Sequence, residues 1–196
     1  MTIRKTSQER RIEIADAAIK ILGERGLPGF TAAQLAEEVG IKDGTIFRHV
    51  KDKHEIMLAV VERLGERLLS SAPRDDKDPM KRLEAFVSSR IQAVASKPGI
   101  LSLIFSDQLV HALGEEGGRY VAGFRNRGRE FLRSCLREAA EKKQIPSDTD
   151  IESATLLING LVIGILFAAK DGALAAPIEQ VADKAWKTLM DQIQGR

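Results

Sequence analysis

The 196-residue chain contains one cysteine and three histidines, and each scarcity argues against a class of site. With Cys135 alone, no disulfide can form within the chain, which is typical of a protein of the reducing cytoplasm. His49, His54 and His111 do not follow a metal-ligand spacing. Since the sequence also has no phosphate-binding glycine loop and no nucleophile motif, we expect a protein that is not an enzyme and that holds neither a metal nor another cofactor.

Strand patterns and membrane segments are also missing. Aromatic residues make up only 5% of the chain, and alternating β-branched runs do not occur. Met1 to Arg11 is polar and lacks the apolar centre of a signal peptide. The longest apolar stretch, Ala154 to Ala169, includes Thr155 and Asn159 and is too short and too polar for a membrane span. With 43% hydrophobic and 30% charged residues, the composition favours a globular, cytoplasmic, all-α protein.

The overall charge of the chain is small, at a formal +2. The chain is therefore not a basic coat for nucleic acid, and any such binding must be local. Residues 1–12 carry four basic residues against one acidic residue, and residues 41–53 carry four against two. A single charge run usually only solvates a helix. These two clusters, however, flank the segment with the clearest motif, which favours a functional interpretation.

That segment runs from Thr31 to Val50 and reads TAAQLAEEVGIKDGTIFRHV. Thr31 is a favourable N-cap, and Gln34, three residues later, completes a capping box. Gly40 is placed to end this first helix, because a residue without a Cβ adopts the left-handed conformation at the least cost. The pattern predicts a short helix followed by a tight turn.

A second short helix is predicted from about Lys42 or Asp43. Ile46 and Val50 lie on its inner face at the i, i+4 spacing. Its outer face is polar and basic, with Lys42, Thr45, Phe47, Arg48 and His49. Two short helices joined by a glycine-containing turn form the helix-turn-helix pattern, whose second helix enters the major groove of double-stranded DNA.

The segment from about Arg11 to Glu55 resembles the DNA-binding domain of the TetR family of bacterial transcriptional regulators. The matching residues keep their order and spacing without a gap: Arg11, Ile14, Ala17, Ala18, Leu22, Gly26, Thr31, Leu35, Ala36, Gly40, Ile41, Gly44, Thr45, Ile46, Phe47, His49, Val50 and Lys53. The resemblance implies an all-α fold of about nine helices. An N-terminal three-helix helix-turn-helix domain would precede a larger C-terminal helical domain for ligand binding and dimerisation.

The predicted DNA-binding residues follow partly from chemistry and partly from the resemblance. Thr45 can offer a methyl group to thymine, and Lys42 and Arg48 can donate to guanine or phosphate. Asp43 either accepts from cytosine or favours the helix N-terminus; Gly44 either lets the backbone approach DNA or is a tolerated first-turn glycine. The resemblance implies that Thr31, His49 and Lys53 contact the DNA backbone or base edges. The full set is Thr31, Lys42, Asp43, Gly44, Thr45, Phe47, Arg48, His49 and Lys53.

Two positions depart from the family pattern. The family usually has tyrosine where Phe47 stands, so a hydroxyl contact with phosphate is missing here. It often has serine or threonine where Lys42 stands, so the cap of the second helix is weaker while a positive charge is gained. Both departures leave the operator sequence open.

Domain boundaries are predicted from the polar, proline-containing segment Ser71 to Asp78. We expect a DNA-binding domain over residues 1–52, a connecting helix and linker over residues 53–75, and a ligand-binding and dimerisation domain over residues 76–196. Beyond the boundary, helices are predicted to start near Pro79, Pro98, Tyr120, Thr149 and Pro177, with a loop at Gly114–Gly118.

A ligand pocket, if the chain responds to a small molecule, is expected among the C-terminal helices and should be mostly apolar. The ligand-binding candidates are Phe86, Arg90, Phe105, His111, Phe124, Phe131 and Asn159. For the aromatic residues the alternative is ordinary core packing, and for Arg90 and His111 it is a surface or satisfied polar group. Because the inward stripes hold few charges, we expect an apolar or aromatic effector.

A homodimer is expected because one helix-turn-helix of this size binds one half-site. The predicted helix from Thr149 to Lys170 is apolar nearly all round and must be buried on most sides. Gly160 and Gly164 would allow another helix to approach closely, with tight packing inside the monomer as the alternative. The resemblance implies that the last two helices form the interface, for which we predict Leu157, Gly160, Leu161, Gly164, Val181, Ala185, Trp186 and Leu189.

Two functions remain open at this point. The first is a homodimeric transcriptional regulator, most simply a repressor, which a small molecule releases from a palindromic operator. The second is an architectural or cell-cycle DNA-binding protein on the same scaffold, regulated by a protein partner. Loss of DNA binding on addition of a ligand would favour the first.

Overall fold

A computed structural model describes residues 6–27, 29–70, 76–95 and 107–195 of the chain. Within these ranges the chain forms eight α-helices and no strand, which confirms the all-α fold class. The helices are α1 (Ser7–Arg25), α2 (Ala32–Val39), α3 (Asp43–Ile46), α4 (Lys53–Ser70), α5 (Pro79–Ala95), α6 (Asp107–Glu141), α7 (Ile151–Lys170) and α8 (Ile178–Ile193). The helix predicted to open at Pro98 begins outside the described residues.

The described residues divide into two compact units. The first holds the chain up to Glu66 together with α6 up to Ala122. The second holds α5, the rest of α6 from Gly123, and α7 and α8. The candidate DNA-binding residues all belong to the first unit, as does the backbone of His111. The other described ligand candidates and the dimer candidates belong to the second.

The start of α1 is held by a capping box between Thr6 and Glu9. The Thr6 hydroxyl accepts a hydrogen bond from the Glu9 N–H at 3.2 Å, and the Glu9 carboxylate accepts from the Thr6 N–H at 2.7 Å. This capping box satisfies two groups that a helix start otherwise leaves open. Thr6 and the residues after it are therefore ordered, while residues 1–5 lie outside the described ranges.

The core of the first unit confirms the predicted apolar stripes. Its buried side chains include Ile14, Ala18, Leu22, Phe30, Leu35, Ile46, Val50, Ile56, Val60 and Leu64. Burial of each large aliphatic side chain contributes about 1.5–3 kcal/mol relative to exposure. Ion pairs also link helices of this unit: Lys20 and Glu38, 2.7 Å apart, join α1 to α2, and Arg63 and Asp16, 2.8 Å apart, join α4 to α1.

The predicted loop at Gly114–Gly118 is wrong, because α6 runs through it with a kink at one residue. Gly114 alone has a non-helical conformation, with φ 56° and ψ −152°. Gly117 is buried in the helix, and a Cβ there would lie 2.1 Å from the Cβ of Leu113. Gly114 thus allows the kink, and Gly117 leaves the space that the Leu113 side chain occupies.

In the second unit, α5, α6, α7 and α8 surround a core that includes Leu83, Phe86, Val87, Ile91, Leu132, Cys135, Leu136, Ala139, Ala154 and Ile158. The predicted start of α5 at Pro79 is confirmed, and Asp78 caps the helix by accepting from the Met80 N–H at 2.9 Å. Arg133 on α6 donates through Nε and Nη2 to the two carboxylate oxygens of Glu152 on α7, at 2.7 and 2.6 Å. This two-point contact fixes the relation of α6 to α7.

The helix α7 is longer than the apolar run that predicts it. With 20 residues and a mean hydropathy of 1.9, it is long and apolar enough to cross a membrane by length and composition alone. The expectation of a run too short for this purpose is corrected, since the helix extends beyond Ala154 and Ala169 to Ile151 and Lys170. A core or interface helix passes the same test, so the observation is weak evidence for a membrane.

Candidate nucleic-acid interface and ligand site

The entry to the helix-turn-helix has the predicted geometry. The Thr31 hydroxyl accepts from the Gln34 N–H at 3.2 Å, and the Gln34 side chain accepts from the Thr31 N–H at 3.2 Å, so the capping box is confirmed. Gly40 ends α2 in the left-handed conformation, with φ 72° and ψ 37°. The Ile41 N–H then donates to Ala36 at 2.9 Å, which closes the turn toward α3.

The second helix of the motif, α3, is a single turn of four residues. As predicted, the side chain of Lys42 makes no capping hydrogen bond at its start. Turn residues follow, and the Val50 N–H reaches back to Ile46 at 3.1 Å. Ile46 and Val50 are both buried. These two side chains hold the short helix against the rest of the unit, because so short a helix has little stability of its own.

Most of the predicted DNA-binding side chains face solvent. The exposed residues are Thr31, Lys42, Asp43, Gly44, Phe47, Arg48 and Lys53, while Thr45 and His49 are half-buried. Phe47 is 50% exposed, so its ring is accessible from solvent. The set therefore combines cations, small polar groups and one exposed ring, which suits contacts with phosphates, base edges and methyl groups.

The position of His49 differs from the expectation that it lies on the outer face. Its ring lines a cleft of about 420 Å³ between α1 and α4, together with Arg11, Glu62 and Arg63. Its Nδ1 is buried and has no hydrogen-bond partner among the described residues. The chain turns after α3, with the His49 N–H donating to Ile46 at 2.9 Å. Part of the imidazole is thereby directed toward α1 and away from solvent.

The segment before α4 is held from several sides. The Glu55 N–H donates to the Asp52 carboxylate at 2.9 Å, so Asp52 caps α4. The Glu55 carboxylate accepts from the backbone N–H of Lys51. Lys53 lies with its Nζ 5.5 Å from the centre of the buried Phe30 ring. These contacts place an exposed cation at the start of α4.

The ligand candidates of the second unit converge in part. The rings of Phe86 and Phe131 stack with centres 5.1 Å apart, and the Arg90 guanidinium lies 4.0 Å from the Phe86 ring centre and 5.4 Å from that of Phe124. Asn159 is half-buried on α7. Phe105 and the side chain of His111 lie outside the described residues.

Arg90 does not match the expectation of a surface or satisfied group. Its Nε and Nη2 atoms are buried and have no hydrogen-bond partner among the described residues. Burial lowers the pKa of this guanidinium from its ordinary value to about 10. The sequence places Arg90 four residues after Phe86, but only the fold shows that its head lies among aromatic rings.

The surface of α7 leaves a row of apolar side chains uncovered. Among the predicted interface residues, Leu157 is 55% exposed, Gly160 and Gly164 are exposed, and Leu161 is half-buried. Among the described residues, no other element of the chain comes within 4 Å of where a Cβ on either glycine would lie, so the described part of the monomer packs nothing against these two positions. The sequence reasoning missed Leu156, Ile163 and Phe167, which are also exposed.

On α8, the four predicted interface residues are half-buried: Val181, Ala185, Trp186 and Leu189. Trp186 also lines a groove of about 520 Å³ between α5 and α8, so part of its indole already faces its own chain.

Within the described residues, no group of three or more His, Cys, Asp or Glu side chains is arranged to hold a metal ion.

Comparisons with known proteins agree with this geometry. Residues 14–60 match the model of the bacterial regulatory proteins of the tetR family. The chain is 27% identical over 171 residues to the HTH-type transcriptional regulator SrpR of Pseudomonas putida, covering 84% of this chain and 78% of that one. It is 29% identical over 157 residues to the nucleoid occlusion factor SlmA of Vibrio cholerae, covering 76% and 78%.

The fold is shared with solved structures. A TetR transcription regulator from Haloarcula marismortui superposes with a TM-score of 0.82 at 18% identity, covering 95% of this chain and 98% of that chain. The family match falls on the helices that present Thr31, α3 and Lys53, and the regulator SrpR is similar over most of the chain. Residues 14–60 are a helix-turn-helix domain of the tetR family of bacterial regulatory proteins, and the chain is a DNA-binding transcriptional regulator.

Proposed function

We propose that this regulator is a cytoplasmic homodimeric repressor, which a small and mostly apolar ligand releases from a palindromic operator. In this proposal residues 1–52 bind DNA, residues 53–75 connect, and residues 76–196 bind the ligand and the second copy. Repression is the simplest consequence of binding, because a dimer on its operator occupies the duplex and release restores access. Ligand release requires only that the effector binds better to a conformation in which the two heads are wrongly spaced for DNA.

The observation that carries the proposal is the uncovered apolar surface of α7. Leu156 is 71% exposed, and Leu157, Ile163 and Phe167 extend the apolar surface along the helix. An exposed apolar surface of this kind marks an interaction site more often than a solvated face. Gly160 and Gly164 lie on the same helix with open space around them, so a second helix can approach closely. A twofold pairing through α7 and α8 places two DNA-binding heads in one particle.

The DNA-binding role of the individual residues rests on exposure and chemistry. Lys42, Arg48 and Lys53 supply cations for phosphate or guanine, and Thr45 supplies a methyl group and a hydroxyl on α3. Thr31 and Lys53 stand at the starts of α2 and α4, and the resemblance to the family supports contacts with the DNA backbone there. Phe47 supplies an apolar contact. Because His49 is partly turned into the cleft, we assign it a contact through its backbone or through Nε2.

The aromatic cluster of Phe86, Phe124 and Phe131 supports an apolar effector in the second unit. Rings that pack on one another and on a guanidinium form a wall suited to an alkyl or aromatic body.

One observation supports the alternative of an architectural or cell-cycle protein, namely the similarity to a nucleoid occlusion factor. In that reading a protein partner, and not a small molecule, controls DNA binding.

The test is selection of genomic fragments by the purified protein, repeated across salt concentrations. We expect an enriched palindrome whose half-sites are spaced by about one helical turn or a multiple of it, with affinity that falls steeply as salt rises. Enrichment of a single, non-repeated half-site would contradict the dimer. Genes next to the selected sites then supply ligand classes, and a protein whose binding no such ligand reverses fits the architectural reading.

A further inference from the structure

The Arg90 side chain is held in a defined place inside the second unit. Its guanidinium lies between the rings of Phe86 and Phe124, at 4.0 and 5.4 Å from their centres. On α6, Gly128 makes room for it, since a Cβ there would lie 3.0 Å from Nη2. The fold therefore accommodates this particular head group, and a side chain at position 128 would crowd it.

The two buried nitrogens without a partner, Nε and Nη2, share one edge of the guanidinium. That edge is a fork whose two parallel N–H groups match two oxygens of a carboxylate or phosphate. Buried polar groups are nearly always hydrogen-bonded in folded proteins, and an exception calls for an explanation.

Two other arginines of the same chain show what this edge ordinarily binds. Arg133 uses Nε and Nη2 on the two carboxylate oxygens of Glu152, at 2.7 and 2.6 Å. Arg63 uses the same two nitrogens on Asp16, at 2.8 and 3.3 Å. Among the described residues, no carboxylate takes this place at Arg90, although both nitrogens are buried.

We propose that the fork of Arg90 binds the anionic head of an amphipathic effector, which carries two adjacent anionic oxygens on an apolar body. This inference rests on the proposed function and deepens it, because it adds a charge to the expected apolar ligand. The head group is a carboxylate or a phosphate ester, and the stacked rings of Phe86 and Phe131 contact the body.

The energetics of the unliganded state support this assignment. Removal of the guanidinium from water disfavours its charged form, and no neighbouring acid offsets the loss, so its pKa falls to about 10. The two rings compensate only in part, since a cation–π contact is weaker than a paired charge. An anion relieves this cost. Because the fork is closed to solvent in the free protein, surrounding side chains must move to admit it, which couples binding to conformation.

The experiment measures binding by calorimetry to the full-length, DNA-free protein. The probes are sodium decanoate, monodecyl phosphate and the neutral 1-decanol. We expect the wild type to bind at least one anionic probe roughly 10-fold to 100-fold more tightly than decanol, as for hydrogen bonds to a charged group. Arg90→Met should bind the three probes alike. Arg129→Gln, which removes an exposed arginine of α6, is the matched control and should behave as the wild type.

Thermal unfolding separates a binding role from a structural one. Replacement of an uncompensated buried charge by an apolar side chain of similar length is neutral or stabilising. We therefore expect Arg90→Met to unfold at the wild-type temperature or above it. A clear drop in its unfolding temperature, an equal preference for anions in Arg90→Met, or no preference in the wild type would each overturn the inference.

Failure of the inference and failure of the proposed function give different results. The titrations contain no DNA, so they test the Arg90 site by itself. If an anion binds through Arg90 and operator binding is unchanged, the Arg90 site is kept and release of DNA by a ligand is overturned. Release of DNA by decanol and decanoate alike, with no effect of Arg90→Met, would keep the proposed function and overturn the Arg90 site.

Discussion

The guanidinium of Arg11 lies 2.8 Å from the carboxylate of Glu55 and joins α1 to the first turn of α4. The other oxygen of that carboxylate accepts from the backbone N–H of Lys51. Because both side chains are partly exposed, the ion pair itself adds at most about 1 kcal/mol to stability. Its main effect is geometric, since it fixes the backbone that leads from α3 to Lys53.

Substitution of Lys53 by alanine should weaken binding to every DNA sequence by a similar factor. Lys53 is exposed and close to Phe30, so its charge is available for a phosphate. Loss of one phosphate contact should reduce the slope of log affinity against log salt by about 1. Fluorescence anisotropy with operator and unrelated duplexes checks this. A loss confined to the operator would contradict a phosphate role.

Substitution of Thr45 by alanine should relax the preference at one base pair, by ~1–3 kcal/mol, with little change in the salt slope. Thr45 is half-buried on α3, which allows its methyl group to contact a base edge while its hydroxyl reaches a base or phosphate. Selection from a randomised operator library gives the measurement. An unchanged base preference would show that Thr45 does not read sequence.

Gly44→Ala should keep the fold and reduce DNA affinity. No side chain or other element among the described residues comes within 4 Å of where a Cβ on Gly44 would lie, and alanine is the better helix former by about 1 kcal/mol. Thermal unfolding should therefore be unchanged or improved. If the glycine lets the backbone approach DNA, the added methyl group should weaken operator binding several-fold. Unchanged affinity would support the simpler view of a tolerated first-turn glycine.

Leu157→Glu should convert the dimer into a folded monomer. A carboxylate at this exposed position of α7 would be buried unpaired in the proposed interface, which costs several kcal/mol. In the monomer the same carboxylate faces solvent, so the fold should be unaffected. Analytical ultracentrifugation gives the oligomeric state, and circular dichroism gives the fold. Ala122→Glu, on the exposed surface of α6, is the control. A dimer that survives Leu157→Glu would remove this helix from the interface.

Two glycines of α6 form a matched pair. A Cβ on Gly123 would have ordinary contact with Arg127 at 3.7 Å, whereas a Cβ on Gly128 would press on Arg90 at 3.0 Å. Gly123→Ala should therefore stabilise the protein by about 0.5–1 kcal/mol through helix propensity. Gly128→Ala should gain less or lose stability. Denaturant unfolding of both variants checks the difference, and equal gains would show that the guanidinium has room to move.

Acid should weaken the cap of α7. Hydrogen bonds from the Ser153 backbone and side chain, and from the Glu152 backbone, lower the pKa of Asp150 below its usual 3.8. A carboxyl group with a lowered pKa in the folded state stabilises the protein above about pH 4, and this contribution is lost as the pH falls further. Asp150→Asn should remove this part of the pH dependence. Denaturant midpoints between about pH 5 and pH 2 give the test, with Asp148→Asn as the control.

Features set by neighbouring residues were predictable from the sequence. The capping box of Thr31 with Gln34, the left-handed Gly40, the uncapped Lys42 and the proline start of α5 all depend on contacts within a few residues. The burial of Ile46 and Val50 followed from spacing alone. Local chemistry also identified the family, because its pattern is continuous in the chain.

Features set by packing between distant residues were not predictable. The sequence GEEGG predicts a loop by composition, yet Leu113 folds over Gly117 and the helix continues after Gly114. The unpaired fork of Arg90 depends on Phe124 and Gly128, which follow more than thirty positions later in the chain. The apolar character of α7 was correctly predicted, but which of its side chains a single chain leaves exposed depended on the placement of its neighbours.

Because α3 is so short, the surface that reads DNA depends on the packing beneath it. A four-residue helix cannot persist by its own hydrogen bonds, because helix nucleation is unfavourable. Its shape exists only while Ile46 and Val50 remain anchored beneath it. An amide at Thr45 or Arg48 should therefore exchange its hydrogen at the rate at which that anchor loosens, and tight operator binding should slow this exchange. A substitution of Ile46 or Val50 should therefore abolish specific operator binding, although neither side chain contacts a base.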